Sequence, residues 1–314
     1  MSANSDEFAR QRALDIYHVV DSLPEAAYED IVRLASILCD APIALISLID
    51  RERQWFKARV GFELTGSSRD VAFCDHAIRV PGQLMEIPDA NNDPRFAGNP
   101  LVTGEQSIRF YAGMPLVTPG GAPIGTVCVL DHEPRALNES QRAGMASLAR
   151  LTMNLLEARH RERALLLSAL FTASPDAVAS HVPEPPEAGD CTIAIFEVQD
   201  LAGAADRSGE RAVMRALQQL HQSLEAGLRP GSGDNISHST GSAEMIVVLH
   251  GSDTAATLMA LHEGLPAFER EHALCVLSGS AHSDFPSEPL ESIFLRADTN
   301  LTHAKDKRSA EAIS

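Results

Sequence analysis

The stretch from Asn138 to Leu170, NESQRAGMASLARLTMNLLEARHRERALLLSAL, contains no proline and is filled with strong helix formers. It predicts one long helix standing between two domains of different compositional character. Asn138 can accept a hydrogen bond from the first free backbone N–H groups, and Gln141, three residues on, completes a capping-box pattern. Leu148, Leu151, Leu155, Ala158, Glu162, Leu165 and Ala169 recur at alternating steps of three and four, which puts them on one seam. Glu162 interrupts that seam within the charged run 159–163. The seam suits a signalling helix that pairs with its twin in a homodimer; a helix that covers the first domain's core has the same spacing.

The chain has 314 residues, enough for two ordinary domains. A formal net charge of −17 opposes association with nucleic acid or an anionic membrane, since both would repel it. The apolar run Ala41–Ile49 is far too short to span a bilayer and suits a buried strand. The opening MSANSDEFARQR lacks the apolar core of a secretory signal. The five cysteines are scattered and unpaired in spacing, the pattern of free thiols in a reducing compartment. Together these features predict a cytoplasmic protein without nucleic-acid or membrane partners.

Residues 8–40 read as helical with a break at Ser22-Leu23-Pro24-Glu25, where Ser22 can cap and proline suits a first turn. Strands are expected at Ala41–Ile49, Gln54–Val60, Met85–Pro88, Tyr111–Thr118 and Pro123–Leu130, with Pro119-Gly120-Gly121 turning the last hairpin. Between Asp89 and Ile108 lies an irregular segment, long enough to cover something or to carry function. Helix, antiparallel sheet with a large insert, then helix: the first domain is predicted to be an α+β sandwich.

The segments ALDIYHVVDSLPEAAYEDIVRLAS, IALISLIDRERQWFKARVG, FCDHAI, DANNDPRFAGNPLV and IRFYAGMPLVTPGGAPIGTVCVLD resemble, in order, a bacterial GAF domain over roughly residues 8–160. The resemblance implies a small-molecule sensor or dimerisation module attached to a signalling output. It implies a pocket between sheet and covering loops, lined here from Trp55, Phe56, Phe73, Cys74, His76, Phe96, Arg109, Phe110 and Tyr111. The ligand is unknown, and the sequence requires no cofactor. Cys74-Asp75-His76 admits several chemistries: covalent attachment of a bilin, a redox thiol activated by the neighbouring imidazole, or two ligands of an incomplete metal site. It equally admits a buried thiol beside a histidine that pins the loop. The motifs of bilin-binding and of cyclic-nucleotide-binding GAF domains are absent. Arg95 and Arg109 can meet an anion bidentately or tie the insert down.

After Leu170 the stretch FTASPDAVASHVPEPPEAGD, with four prolines and no periodicity, reads as an extended linker. The chain therefore divides into 1–137, a connecting helix 138–170, a linker 171–190, and a second domain 191–314. In that second domain, strands are expected at Thr192–Val198, Met245–Leu249 and Leu274–Ser278. Helices are expected at Glu210–Leu228, within Thr254–Arg270 and at Leu290–Lys305, with Gly264 and Pro266 ending or kinking the second of them. The order βαββαβα predicts a ferredoxin-like palm with helices on one face.

TIAIFEV, DRSGERAVMRALQQL, GSAEMIVVL and LRADTNLTHAK resemble a GGDEF domain, the palm of diguanylate cyclases, with GSAEM in the place of the signature. Joining two GTP molecules requires carboxylates to hold metal ions against phosphate charge, and a positioned base. Of the degenerate GTP and metal site that the resemblance implies, Glu197, Asp206, Gly241, Glu244 and Lys305 survive. The signature's third residue is Ala243, which neither ligates nor accepts a proton, and its second glycine is Ser242. The phosphate-contacting lysine falls on Ala202 and the guanine-reading asparagine on Ala205. The product-inhibition pair would fall on Ser232 and Asn235, and the arginine expected after Lys305 is Ser309. The family's opening motif before the first strand is replaced by the linker.

These residues predict a non-catalytic signalling protein, with no catalytic residues of its own: a GAF small-molecule sensor coupled to a degenerate GGDEF-like domain in cyclic di-GMP signalling. Its output would be contact with a signalling protein or a change in a homodimer held through the connecting helix. Two alternatives stay open: a weak or GTP-regulated diguanylate cyclase, and a GAF redox or ligand sensor using Cys74.

Overall fold

The computed structural model describes residues 3–172, 190–229, 231–238, 243–285 and 288–311. The chain forms two compact units, Met1–Arg163 and Ala164–Ser314. Among the described residues no helix is long and apolar enough to cross a membrane.

The first unit opens with α1 (Ala3–Asp15) and α2 (Ala26–Cys39). β1 (Ile43–Ile49), β2 (Arg53–Val60), β3 (Gly66–Ser68), α3 (Phe73–Ala77) and β4 (Met85–Ile87) follow. α4 (Pro100–Thr103), β5 (Phe110–Val117), β6 (Pro123–Asp131) and α5 (Glu139–Thr172) complete it, and the boundary between the units falls within α5. The six strands form one antiparallel sheet in the order β3-β2-β1-β6-β5-β4. β1 is buried along its whole length because both faces of the sheet are covered. On one face α2 packs through Tyr28, Ile31, Val32 and Ala35. On the other, α3 and the segment 89–108 cover an apolar core of Leu45, Phe56, Phe73, Phe96, Tyr111, Cys128 and Leu130.

The irregular segment is tied down in several places. Asn99 caps α4 by accepting from Leu101 N at 2.8 Å, and it donates to Val71 O at 2.9 Å. Arg109 holds Asp89 through two bonds of 2.8 Å, and Arg95 holds Asp93. Both arginines therefore tie the insert down.

The N-terminus of α5 has the reciprocal capping box. Asn138 N donates to Gln141 Oε1 and Gln141 N donates to Asn138 Oδ1, both at 2.9 Å. Glu86 on β4 accepts from Leu137 N and from Arg142 Nε, each at 2.9 Å, which docks the helix start on the sheet. Further along, Arg159 donates to Glu25 Oε1 at 2.8 Å. That same oxygen accepts from Lys57 Nζ of β2 at 2.6 Å. Lys57 is fully enclosed and also donates to Ser22 Oγ and Leu23 O, at 2.8 and 2.7 Å.

The predicted seam of α5 divides between two faces. Leu148 belongs to the stripe that covers the first unit's core, with Met145, Ala149, Thr152, Met153 and Leu156. Leu151 and Leu165 stay exposed, at 51% and 71%, along with Ala158 and Glu162. The side chain of Ala169 lies outside the described residues, as does most of the predicted linker.

The second unit contains β7 (Cys191–Gln199), α6 (Leu201–Ser208), α7 (Glu210–Ala226), β8 (Asn235–His238) and β9 (Glu244–His250). It ends with α8 (Thr254–His272), β10 (Cys275–His282) and α9 (Leu290–Glu311). Its antiparallel sheet has the order β10-β7-β9-β8. Two expectations are corrected. Helices lie on both faces of this sheet. α9 packs on Ile193, Ile195, Ile246 and Val248, while Phe196, which alternates to the opposite face, meets His262 of α8 at 5.3 Å. Pro266 does not end α8, which runs on to His272. A proline removes one backbone bond, and the buried stripe Thr257, Leu261 and Leu265 holds the helix across that gap.

Candidate functional site

In the first unit a small cavity of about 10 Å³, room for the centre of one water-sized sphere, lies under the covering segments. Leu45, Gln54, Phe56, Phe62, Ser67 and Phe73 line it, and so do Cys74, Leu101, Ile108, Tyr111, Cys128 and Leu130. Of the residues expected here, Phe56, Phe73, Cys74 and Tyr111 reach the cavity. Phe96 stands one layer behind, stacked on Phe73 with ring centroids 4.4 Å apart, and His76 meets the edge of Phe96 at 4.8 Å. Trp55 and Phe110 are buried against the other face of the sheet, because each directly neighbours a cavity residue on its strand. Arg109 is held by Asp89, outside the cavity.

The triplet Cys74-Asp75-His76 occupies α3, and its side chains diverge. Residues two apart on a helix are separated by about 200°, so a thiol and an imidazole at that spacing cannot converge. Cys74 points inward, while Asp75 accepts from Arg69 and Arg79 at 2.7 and 2.6 Å. Burial works against ionisation of Asp75, and the two guanidiniums outweigh it and hold its carboxyl below the usual range. Burial and the nearby Arg79 push His76 down, favouring its neutral form. The groups that meet Cys74 come from other elements. Tyr111 Oη donates to its sulfur at 3.3 Å, and the Cys128 sulfur lies 3.7 Å away. Cys128 had no signal of its own in the sequence beyond its alternation with Leu130 on a strand.

In the second unit, Glu197 of β7 sits directly opposite Glu244 of β9. Two like charges facing each other across neighbouring strands repel unless a cation intervenes. Lys305, from α9, supplies it: its Nζ donates to Glu197 Oε2 at 2.7 Å, while Gln199 donates to Oε1 at 2.9 Å. Asp206 lies exposed on α6, and Gly241 falls outside the described residues. A metal-nucleotide site needs carboxylates free to ligate. Here Glu197 is taken up by Lys305 and Gln199, and Ala243 stands at the position where the resemblance implies an acid. The residues present do not fit a catalytic metal pair.

Residues 23–156 match the family model described as GAF domain, so the first unit is a GAF domain. The second unit has the α+β order of elements expected of a palm, and the chain joins the two. A cyclic di-GMP phosphodiesterase of Pseudomonas aeruginosa is 42% identical over 149 residues, which is 47% of this chain and 25% of the relative. The chain thus spans about a quarter of the length of the curated relative it matches. Among solved structures, the blue-light-absorbing form of the PixJ GAF domain of Thermosynechococcus elongatus is similar at 16% identity and a TM-score of 0.40. That match covers 54% of this chain and 98% of that one. A microbial GGDEF domain studied with cyclic di-GMP is similar at 26% identity and a TM-score of 0.36, covering 47% of this chain and 86% of that one.

Proposed function

We propose that this chain is a non-catalytic member of a cyclic di-GMP signalling system, in which a GAF sensor acts through α5 on a GGDEF-like domain that no longer makes the dinucleotide. The observation that carries this reading is the closed ion pair of Glu197 with Lys305, beside Ala243 in the signature position. A phosphoryl-transfer centre that loses a metal ligand and ties up another loses the charge neutralisation on which its rate depends. Incubation of the full chain with GTP and magnesium is expected to give no cyclic di-GMP above a protein-free control. Accumulation of cyclic di-GMP that scales with protein concentration would overturn the reading and favour a weak cyclase.

The output is then a contact with a signalling protein or a change within a homodimer. The exposed apolar side chains Leu151 and Leu165 on α5, with Leu34 and Ile37 on α2, support pairing of two copies through these helices. The full chain is expected to scatter light as a dimer at micromolar concentration. Replacement of Leu151 and Leu165 by glutamate is expected to leave a monomer, and a wild-type monomer removes the basis of the dimer. The cavity is lined mainly by apolar side chains, with Gln54, Ser67 and Tyr111 as neutral polar ones, so a sensor ligand that enters it is small and uncharged.

A further inference from the structure

The floor of the first unit's cavity holds two thiols from different elements. Cys74 of α3 and Cys128 of β6 are both buried, with their sulfurs 3.7 Å apart. Ser47 of β1 and Thr126 of β6 stand directly opposite each other in the sheet, and by strand alternation they share the face that carries Leu45 and Cys128. Both side chains are fully buried, and their oxygens make no regular hydrogen bond among the described residues. Tyr111 Oη donates to the Cys74 sulfur, and the sheet face beneath the two thiols adds these two hydroxyls to a ring of neutral groups able to donate. A thiol buried only for packing has no use for such a ring, whereas a thiolate is stabilised by it in place of a cation.

We propose that Cys74 and Cys128 are an oxidisable dithiol, which hydrogen peroxide converts into a disulfide across the floor of the cavity. The proposal rests on the GAF unit being the sensing part of the chain, and it names the class of input that this cavity takes. The Cys74 thiolate attacks one peroxide oxygen and the O–O bond breaks. The departing oxygen takes up the proton that Cys74 lost and leaves as water, so Cys74 becomes a sulfenic acid. Cys128 sulfur then attacks Cys74 sulfur, the S–O bond breaks, and hydroxide leaves with the Cys128 proton as a second water. Two thiols lose two electrons and peroxide gains them. The sulfurs must close from 3.7 Å to a bonding distance of about 2.05 Å, which draws α3 toward β6.

The two roles are unequal. Burial resists ionisation of both thiols, and the donors that converge on Cys74 offset this and make it the more acidic. Burial and the adjacent Cys74 push Cys128 well up, so it waits as the resolving thiol. Space for little more than one water limits entry to small oxidants and to moments when the covering segments part.

The test uses the full chain, treated with excess hydrogen peroxide, denatured in an alkylating agent and mapped without reduction. We expect the mass of two hydrogens to be lost, two of the five cysteines to escape alkylation, and the peptides of Cys74 and Cys128 to be linked until dithiothreitol is added. Alkylation of all five cysteines, oxygen addition without linkage, or linkage of any other pair would overturn the proposal. Cys128→Ser is expected to trap a sulfenic acid at Cys74 that reacts with dimedone, and Cys74→Ser to leave Cys128 unlabelled. Labelling of Cys128 in the latter would reverse the assigned roles. If no disulfide forms yet a small molecule co-purifies with the cavity, the oxidation step is wrong and the sensor reading stands.

Discussion

Lys57→Ala is expected to lower the stability of the first unit by about 3 kcal/mol, the scale for breaking a buried, hydrogen-bonded charge pair. The lysine lies on β2, and none of its side chain is exposed. Its ammonium satisfies three acceptors at once: Ser22 Oγ, Leu23 O and Glu25 Oε1. It also sits 5.0 Å from the ring centre of Tyr28. Glu25 keeps Arg159 as a partner in the variant, so the loss falls mainly on the Leu23 carbonyl, Ser22 and the space left behind. Urea denaturation followed by tryptophan fluorescence reads this directly, since Trp55 is two residues away on the same face of the sheet. The pH dependence gives a second check. Burial lowers the lysine to about 8, and Glu25 offsets only part of that effect. The unfolded chain, with an ordinary lysine near 10.4, holds more protons between those two values, so the lysine's contribution to stability rises with pH across that window. Lys57→Ala should remove that rise; an unchanged pH profile or a loss below about 1 kcal/mol would contradict the account.

Gly279→Ala is expected to cost about 3 kcal/mol, the upper end of the usual range for overpacking. Gly279 lies on β10, opposite Ile195 of β7. A Cβ there would stand 2.2 Å from Leu301 N and 2.4 Å from Ala297 O. Those atoms are backbone of α9, so no side-chain rotation relieves the clash, and the helix must lift from the sheet. Hydrogen exchange is expected to show faster exchange in β10 and α9. Wild-type protection there would mean that the approach of helix and strand is looser than described.

The sequence announced elements whose cause is local. α5 was legible because its cap, its helix formers and its lack of proline all lie within the stretch itself. The strands β1, β5 and β6 were legible as apolar runs. β3, a Gly-Ser-Ser segment, and the five-residue α3 had no such signature, because neighbouring elements hold them in place. The cavity was only partly legible for a related reason. Where both faces of a sheet are buried, Trp55 and Phe56 are equally apolar and equally enclosed, and only topology decides which one meets the cavity. The pairing of Cys74 with Cys128 was invisible, since they lie on separate elements joined only by folding. In the second unit the loss of an acid at Ala243 could be read directly, whereas the grip of Lys305 on Glu197 needed the approach of α9 to β7.

Phe56 and Lys57 are consecutive, so a single peptide step, about 3.8 Å between Cα atoms, separates a wall of the cavity from the clasp that holds α5. If the first unit senses a ligand as proposed, β2 would act as a rocker pivoting on its own backbone. A strand that twisted to admit a guest beside Phe56 would swing Lys57 the opposite way, and Glu25 with it. Arg159 shares the same carboxylate oxygen, so that torque would reach the long helix without crossing any further part of the domain. The message would then travel as a rotation, and α5 would feel the state of the cavity through one shared oxygen atom.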